Sequence, residues 1–204
     1  MFGIKLVIPI GFGFERATEG ESFKGMSKEK IIGTVGRVRL KSDRVLEKLR
    51  AKKIYGDKLD GAFNHHTKQA NAGWVIRDEN GGYKGAAQAK GTTTTDALEC
   101  EFQALIMAMQ HAWSQGYRKV IFEGDNKQVA DLMNNKKQSF GRYNWIREGR
   151  TWQKRFEETR FNWIPRTNNQ PADLLAKHSF PSQDDFHFHY YVPSYITTAL
   201  HCNQ

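Results

Sequence analysis

The sequence predicts an α/β domain on a five-stranded mixed sheet, three antiparallel strands followed by parallel ones, with helices on both faces. Three observations carry this. Asn80-Gly81-Gly82 separates two stretches of strand character, the signature of a tight hairpin. Apolar side chains then recur at helical spacing from Leu98 to Trp113. Beyond that helix, short apolar strands alternate with helical stretches, an order that yields parallel pairing and helix-covered faces.

Taken in order, Leu59 to Phe63 reads as the first strand, and Asn64 to Asn71 as a polar loop. Gly73 to Arg77 and Tyr83 to Lys90 form the hairpin across the Asn-Gly-Gly turn. Asp96 with Glu99 three residues later has the capping-box arrangement, so a helix starts there and stops near Gly116. Lys119 to Glu123 is a short apolar strand ended by Gly124-Asp125. Lys127 to Asn134 and Tyr143 to Glu157 read as helices, the latter with Trp145, Trp152 and Phe156 on one side. Arg160 to Ile164 alternates as a strand broken by Pro165. Pro171, favoured in a first turn, opens a last helix running to Phe180. The resulting order is β-β-β-α-β-α-α-β-α.

The 31 Lys and Arg outnumber 22 Asp and Glu, for a net charge of +9. Residues 1–56 hold 13 basic and 6 acidic side chains, leaving 18 and 16 for the rest, so the excess is N-terminal (+7 against +2). Such a segment suits a polyphosphate partner through counterion release, and equally a solvated leader. The expected division is a basic, poorly ordered N-terminal extension over 1–54, with one apolar helix face between Val38 and Ile54. A compact domain follows over 55–180, then a tail over 181–204. In the tail, His187, His189 and the aromatics up to Tyr195 suggest packing back onto the domain. No stretch reaches the roughly 18 apolar residues that cross a bilayer. Cys100 and Cys202 form no metal-binding or disulfide pattern. The chain is expected to be an intracellular monomer, nuclear or cytoplasmic with an organelle left open, and with no membrane partner.

Four carboxylates stand out. Asp125 follows an apolar strand, where a parallel sheet delivers ligand-facing side chains. Asp60 interrupts an apolar central strand, a costly position that a bound cation would offset. Glu99 and Glu101 both flank the helix's apolar stripe, and periodicity alone does not choose between them. Glu99 shares its flank with Gln103 and Gln110, which suggests solvent. Glu101 shares its own with Ala97, Ala104 and Ala108, small residues that permit close approach to a sheet, so Glu101 is the inward acid. Asp173 lies in the first turn of the last helix, where the helix dipole favours any acid. Clustered carboxylates are hard oxygen ligands that select Mg²⁺ or Mn²⁺.

Five blocks carry a family resemblance: Asp60-Gly-Ala-Phe-Asn64, Ala72 to Asp78, Ala97 to Leu105, Phe122-Glu-Gly-Asp125 and Asn168 to Lys177. In this order and spacing the chain resembles the ribonuclease H-like domains of plants, related to the reverse transcriptases of non-LTR retrotransposons. The resemblance covers about residues 55–180. It implies the ribonuclease H-like fold and endonucleolytic hydrolysis of the RNA strand of RNA–DNA hybrids. It also implies two divalent ions, Mg²⁺ or Mn²⁺, with Asp60, Glu101, Asp125 and Asp173 as catalytic and metal-binding residues. Asn64, Arg166 and Asn169 become candidates for nucleic-acid contact. Bacterial relatives carry a His in the loop before the last acid, whereas Arg166-Thr-Asn-Asn-Gln170 has none.

Other features weigh less. His65-His66 reads as a polar loop rather than a ligand pair. Trp145, Trp152 and Phe156 read as core rather than a base-stacking platform. Arg142, Arg147, Arg150, Lys154 and Arg155 could track a nucleic-acid backbone or form a solvated basic face. The rival to the nuclease is a mobile-element-derived nucleic-acid-binding protein that is catalytically weak or inactive.

Overall fold

The computed structural model describes residues 54–135, 143–179 and 185–201. The expected helix before Ile54, the rest of the N-terminal extension, Arg142 and Cys202 lie outside the described residues.

Strands β1 (Ile54–Phe63), β2 (Gln69–Arg77) and β3 (Tyr83–Thr93) form an antiparallel meander. Helix α1 (Ala97–Ser114) follows. β4 (Lys119–Gly124) then pairs parallel with β1, and β5 (Glu158–Trp163) parallel with β4. Helices α2 (Lys127–Met133) and α3 (Tyr143–Gln153) lie between those two strands in the chain. After a 3-10 turn at Arg166–Asn168 comes α4 (Gln170–Lys177). The sheet has six strands rather than five, in the order β5-β4-β1-β2-β3-β6. The sixth, β6 (Phe186–His189), comes from the tail and pairs antiparallel with β3. A second 3-10 turn, Ser194–Ile196, and α5 (Thr197–His201) complete the described chain.

β1 is longer than the five residues its apolar run suggests. Gly56 and Asp57 are poor strand formers, yet Gly56 pairs with Arg77 on one side and Ile121 on the other. A central strand is held by two ladders, and that context overrides propensity. The two faces of the sheet follow from strand alternation. Ala72, Trp74 and Ile76 enter a large core with α1, α2 and α3, while Val75 points to a smaller one with Leu175, Ile196 and Leu200. Two glycines let helices seat directly on the sheet: a Cβ on Gly61 would collide with the α1 backbone at Cys100, and one on Gly73 with the α4 backbone at Ala176.

The start of α1 differs in detail from a simple capping box. Asp96 caps by accepting from the Leu98 N–H at 2.9 Å. Glu99 bonds Thr94, two residues before the cap. Its carboxylate accepts from the Thr94 hydroxyl at 2.6 Å, and that hydroxyl in turn accepts from the Asp96 N–H. Gln103, expected on a solvated flank, is buried, and its Oε1 accepts from the Thr92 N–H at 2.7 Å. Trp145 and Trp152 pack against the larger core, and Phe156 lies within it.

Gln88 ties the tail to the domain. It is buried on β3, with Nε2 donating to the Leu175 and His178 carbonyls of α4. Its Oε1 accepts from the Tyr195 hydroxyl at 3.2 Å and pairs with His189 Nε2 at 3.0 Å. All four of its hydrogen-bonding positions are therefore used. Gln88→Ala is expected to cost about 2–4 kcal/mol, because the partners of a buried network are left unsatisfied together. Hydrogen exchange should then show loss of protection over residues 186–201 before the rest of the domain opens. Unchanged protection there would mean that Gln88 does not hold the tail.

Candidate metal centre

Three carboxylates meet at one edge of the sheet. Asp60 is delivered by β1, Glu101 by the second turn of α1, and Asp125 by the residue after β4. Each offers an oxygen, and the three oxygens lie within 4.8 Å of one another. Asp60 is 4% exposed, and Asp125 Oδ2 is buried without a hydrogen bond. This closeness follows from local structure. Gly61 brings α1 against β1 at Cys100 and Glu101, and parallel pairing sets the end of β4 beside β1.

Proton affinity rises throughout the cluster. Burial, reinforced by the charges of Asp125 and Asp173, pushes the Asp60 carboxyl up to about 7, and Arg166 and Lys177 offset part of this. Burial and the charges of Asp60 and Asp125 raise Glu101 well above the ordinary carboxylate range. Asp125 is raised in the same direction, chiefly by burial, with the Arg166 charge opposing. Crowded acids of this kind cannot all ionise without a compensating cation.

Asp173 stands outside the trio and already has cations. Arg166 Nη2 donates to its Oδ1 at 2.9 Å, and Lys177 Nζ approaches the same oxygen at 2.6 Å, one helical turn on. Arg166 also brings Nε to 4.0 Å from Asp125 Oδ2, so its guanidinium bridges the last acid to the cluster while remaining 71% exposed.

The three residues considered for nucleic-acid contact have different fates. Arg166 is exposed at the cluster. Asn64 is exposed in the β1–β2 loop, where its Oδ1 accepts from the His66 and Thr67 N–H groups and shapes the turn. Asn169, by contrast, is fully buried and not free to meet a phosphate. Its Nδ2 donates to the Leu59 carbonyl at 2.9 Å and to Asp60 Oδ1 at 3.4 Å, so it orients the central acid. Sequence reading missed this because adjacent Asn168 and Asn169 look equivalent until the start of α4 turns one inward. It also passed over Trp163, whose place at the end of a strand beside Asp125 depends on the β4–β5 register. Lys177 was legible at four residues from Asp173 on one helix face.

No curated protein sequence matches the chain. Among solved structures, it is similar to ribonuclease H1 from Halobacterium salinarum at 23% identity and a TM-score of 0.57, covering 60% of this chain and 94% of that one. It is likewise similar to the N-terminal RNase H domain of a Mycobacterium tuberculosis protein, at 20% identity and 0.54, covering 61% and 91%. A third, LC11-RNase H1 in complex with an RNA/DNA hybrid, shares 24% identity at 0.52, covering 60% and 92%. These likenesses show a ribonuclease H-like fold. The model of the reverse transcriptase-like family matches residues 58–179, a stretch holding all four acids, and the chain belongs to that family.

Proposed function

We propose that the chain is a metal-dependent ribonuclease that hydrolyses the RNA strand of RNA–DNA hybrids. The observation that carries this reading is the meeting of Asp60, Glu101 and Asp125 oxygens within 4.8 Å. A buried Asp125 oxygen without a hydrogen bond, beside two acids of raised proton affinity, suits a hard divalent cation such as Mg²⁺ or Mn²⁺. Two such ions in this cluster would activate water and neutralise the leaving oxygen of a phosphodiester.

The chain's own residues prepare that site. In this reading Asp60, Glu101 and Asp125 would hold the ions, with Asp173 completing the second site. Asn169 donates to Asp60 Oδ1 and helps orient it. Arg166, exposed although paired with Asp173, is the group that reaches a substrate phosphate, and Asn64 lies in the loop that extends from β1. The solved complex of LC11-RNase H1 with an RNA/DNA hybrid supports the choice of substrate.

A second reading, nucleic-acid binding with weak or no turnover, is favoured by Arg166. It occupies the space between Asp125 and Asp173, and the loop offers no His for proton transfer near pH 7. A cleavage assay on a labelled hybrid separates the two. Wild type is expected to cut with Mg²⁺ or Mn²⁺ and to stop with chelator. Asp125→Asn should be at least about a hundredfold slower, since it weakens the charge stabilisation at the reacting phosphate. Hybrid binding without cleavage by the wild type selects the second reading. Equal cleavage by both proteins removes the site assignment.

A further inference from the structure

Trp163 is the last residue of β5 and is 49% exposed, although it stands beside the acid cluster. Its indole N–H donates to the Asp125 backbone oxygen at 3.0 Å. Just beyond, the Ile164 N–H donates to the Gly124 carbonyl at 3.0 Å, which closes β5 onto the end of β4. One edge of the ring is thus tied to the strand end that carries Asp125, and an aromatic surface is held open to solvent.

The ring borders a groove of about 380 Å³ between α2 and β5, within the range of small-ligand clefts. Its polar lining is Glu123, Lys127, Asp131, Asn134 and Asn162. One cation against two acids makes this a poor seat for a phosphate. An aromatic face beside amides and carboxylates suits a neutral, hydroxyl-bearing ring. Pentose sugars have that chemistry: a C–H face for the indole and hydroxyls that both donate and accept. The 2′-hydroxyl is the group by which a protein distinguishes RNA from DNA at a given site.

We propose that the groove roofed by Trp163 is a ribose subsite, taking the sugar of a ribonucleotide in the strand that passes Asp125. The indole carries the sugar ring, and the groove's amide and carboxylate groups meet the 2′-hydroxyl. This rests on the nuclease reading for the presence of nucleic acid, but assigns strand discrimination to residues outside the acid cluster.

The test is equilibrium binding of a labelled RNA–DNA hybrid and a DNA duplex of the same sequence, in Ca²⁺ buffer. Wild type, Trp163→Ala and Trp163→Phe are compared. Trp163→Ala should lose about tenfold on the hybrid, the scale of one aromatic contact, and less than threefold on the DNA duplex. Trp163→Phe keeps an aromatic face but not the bond to Asp125, and should stay within about threefold of wild type on the hybrid. Wild-type affinity of Trp163→Ala for the hybrid overturns the proposal. So does an equal loss on both duplexes, or a loss in Trp163→Phe as large as in Trp163→Ala, which would trace the effect to Asp125 positioning. Those outcomes leave the nuclease reading standing. A wild type that binds neither duplex removes that reading and the subsite together.

Discussion

Asp57→Val is expected to stabilise the protein by about 3 kcal/mol at pH 7, enough to raise the melting temperature by roughly 10 °C. Asp57 is fully buried in the central strand, and neither carboxylate oxygen has a hydrogen-bond partner. Its neighbours in register are Ile76 on β2 and Phe122 on β4, both in the larger core. Burial raises its proton affinity well above the ordinary carboxylate range, so the folded chain holds a proton there that the unfolded chain releases. Valine has a similar size, suits a central strand and carries no polar atom.

The pH dependence follows from the sign of that shift. A carboxyl raised in the folded state favours folding below its unfolded value near 4. That advantage is lost as pH rises, by up to about 1.4 kcal/mol per pH step until the folded value is reached. The difference between Asp57→Val and wild type should therefore grow from pH 4.5 to pH 7.5 in urea melts. A difference that is constant with pH, or a less stable variant, would falsify the assignment of Asp57 as an unpaired buried acid.

Asp60→Asn should move stability and metal response in opposite directions. The Asp60 carboxyl is raised to about 7, so in metal-free protein at pH 8 its ionisation opposes folding by an amount on the order of 4 kcal/mol. Asparagine removes that charge and keeps an oxygen for the Asn169 amide. Without metal, Asp60→Asn should melt above wild type at pH 8 and converge with it near pH 4. Adding Mn²⁺ should raise the wild-type melting temperature through preferential binding to the folded state, and leave the variant nearly unmoved. Equal responses of the two proteins to Mn²⁺ would place the ion elsewhere. A variant less stable than wild type at pH 8 would mean that Asp60 is already neutralised by Arg166 and Lys177.

Much of this architecture is legible in the linear chain because it is written at short range. The Asn80-Gly81-Gly82 turn, the apolar stripe of α1 and the apolar run of β4 are local patterns, and each appears where its pattern places it. The choice of Glu101 over Glu99 was likewise local, resting on small neighbours that allow α1 to approach the sheet, and the closeness of Gly61 to Cys100 is that approach. Gln103 shows the limit of the same argument, since a flank glutamine became buried by bonding the end of β3.

What the tertiary structure alone decided concerns partners distant in sequence. The sixth strand exists because β3 has a free edge and Gln88 offers four hydrogen-bonding positions to α4 and the tail. Asn169 turned from an expected phosphate contact into a buried support for Asp60, 109 residues away. Asp173 lies outside the oxygen trio and is paired there with Arg166 and Lys177. Asp57 became an unpaired core acid once β2 and β4 closed around it. Residue type and spacing determine which elements form and which side chains can face a site. Burial and charge neutralisation depend on what the other strands and helices bring within a few ångströms, and that information is not local.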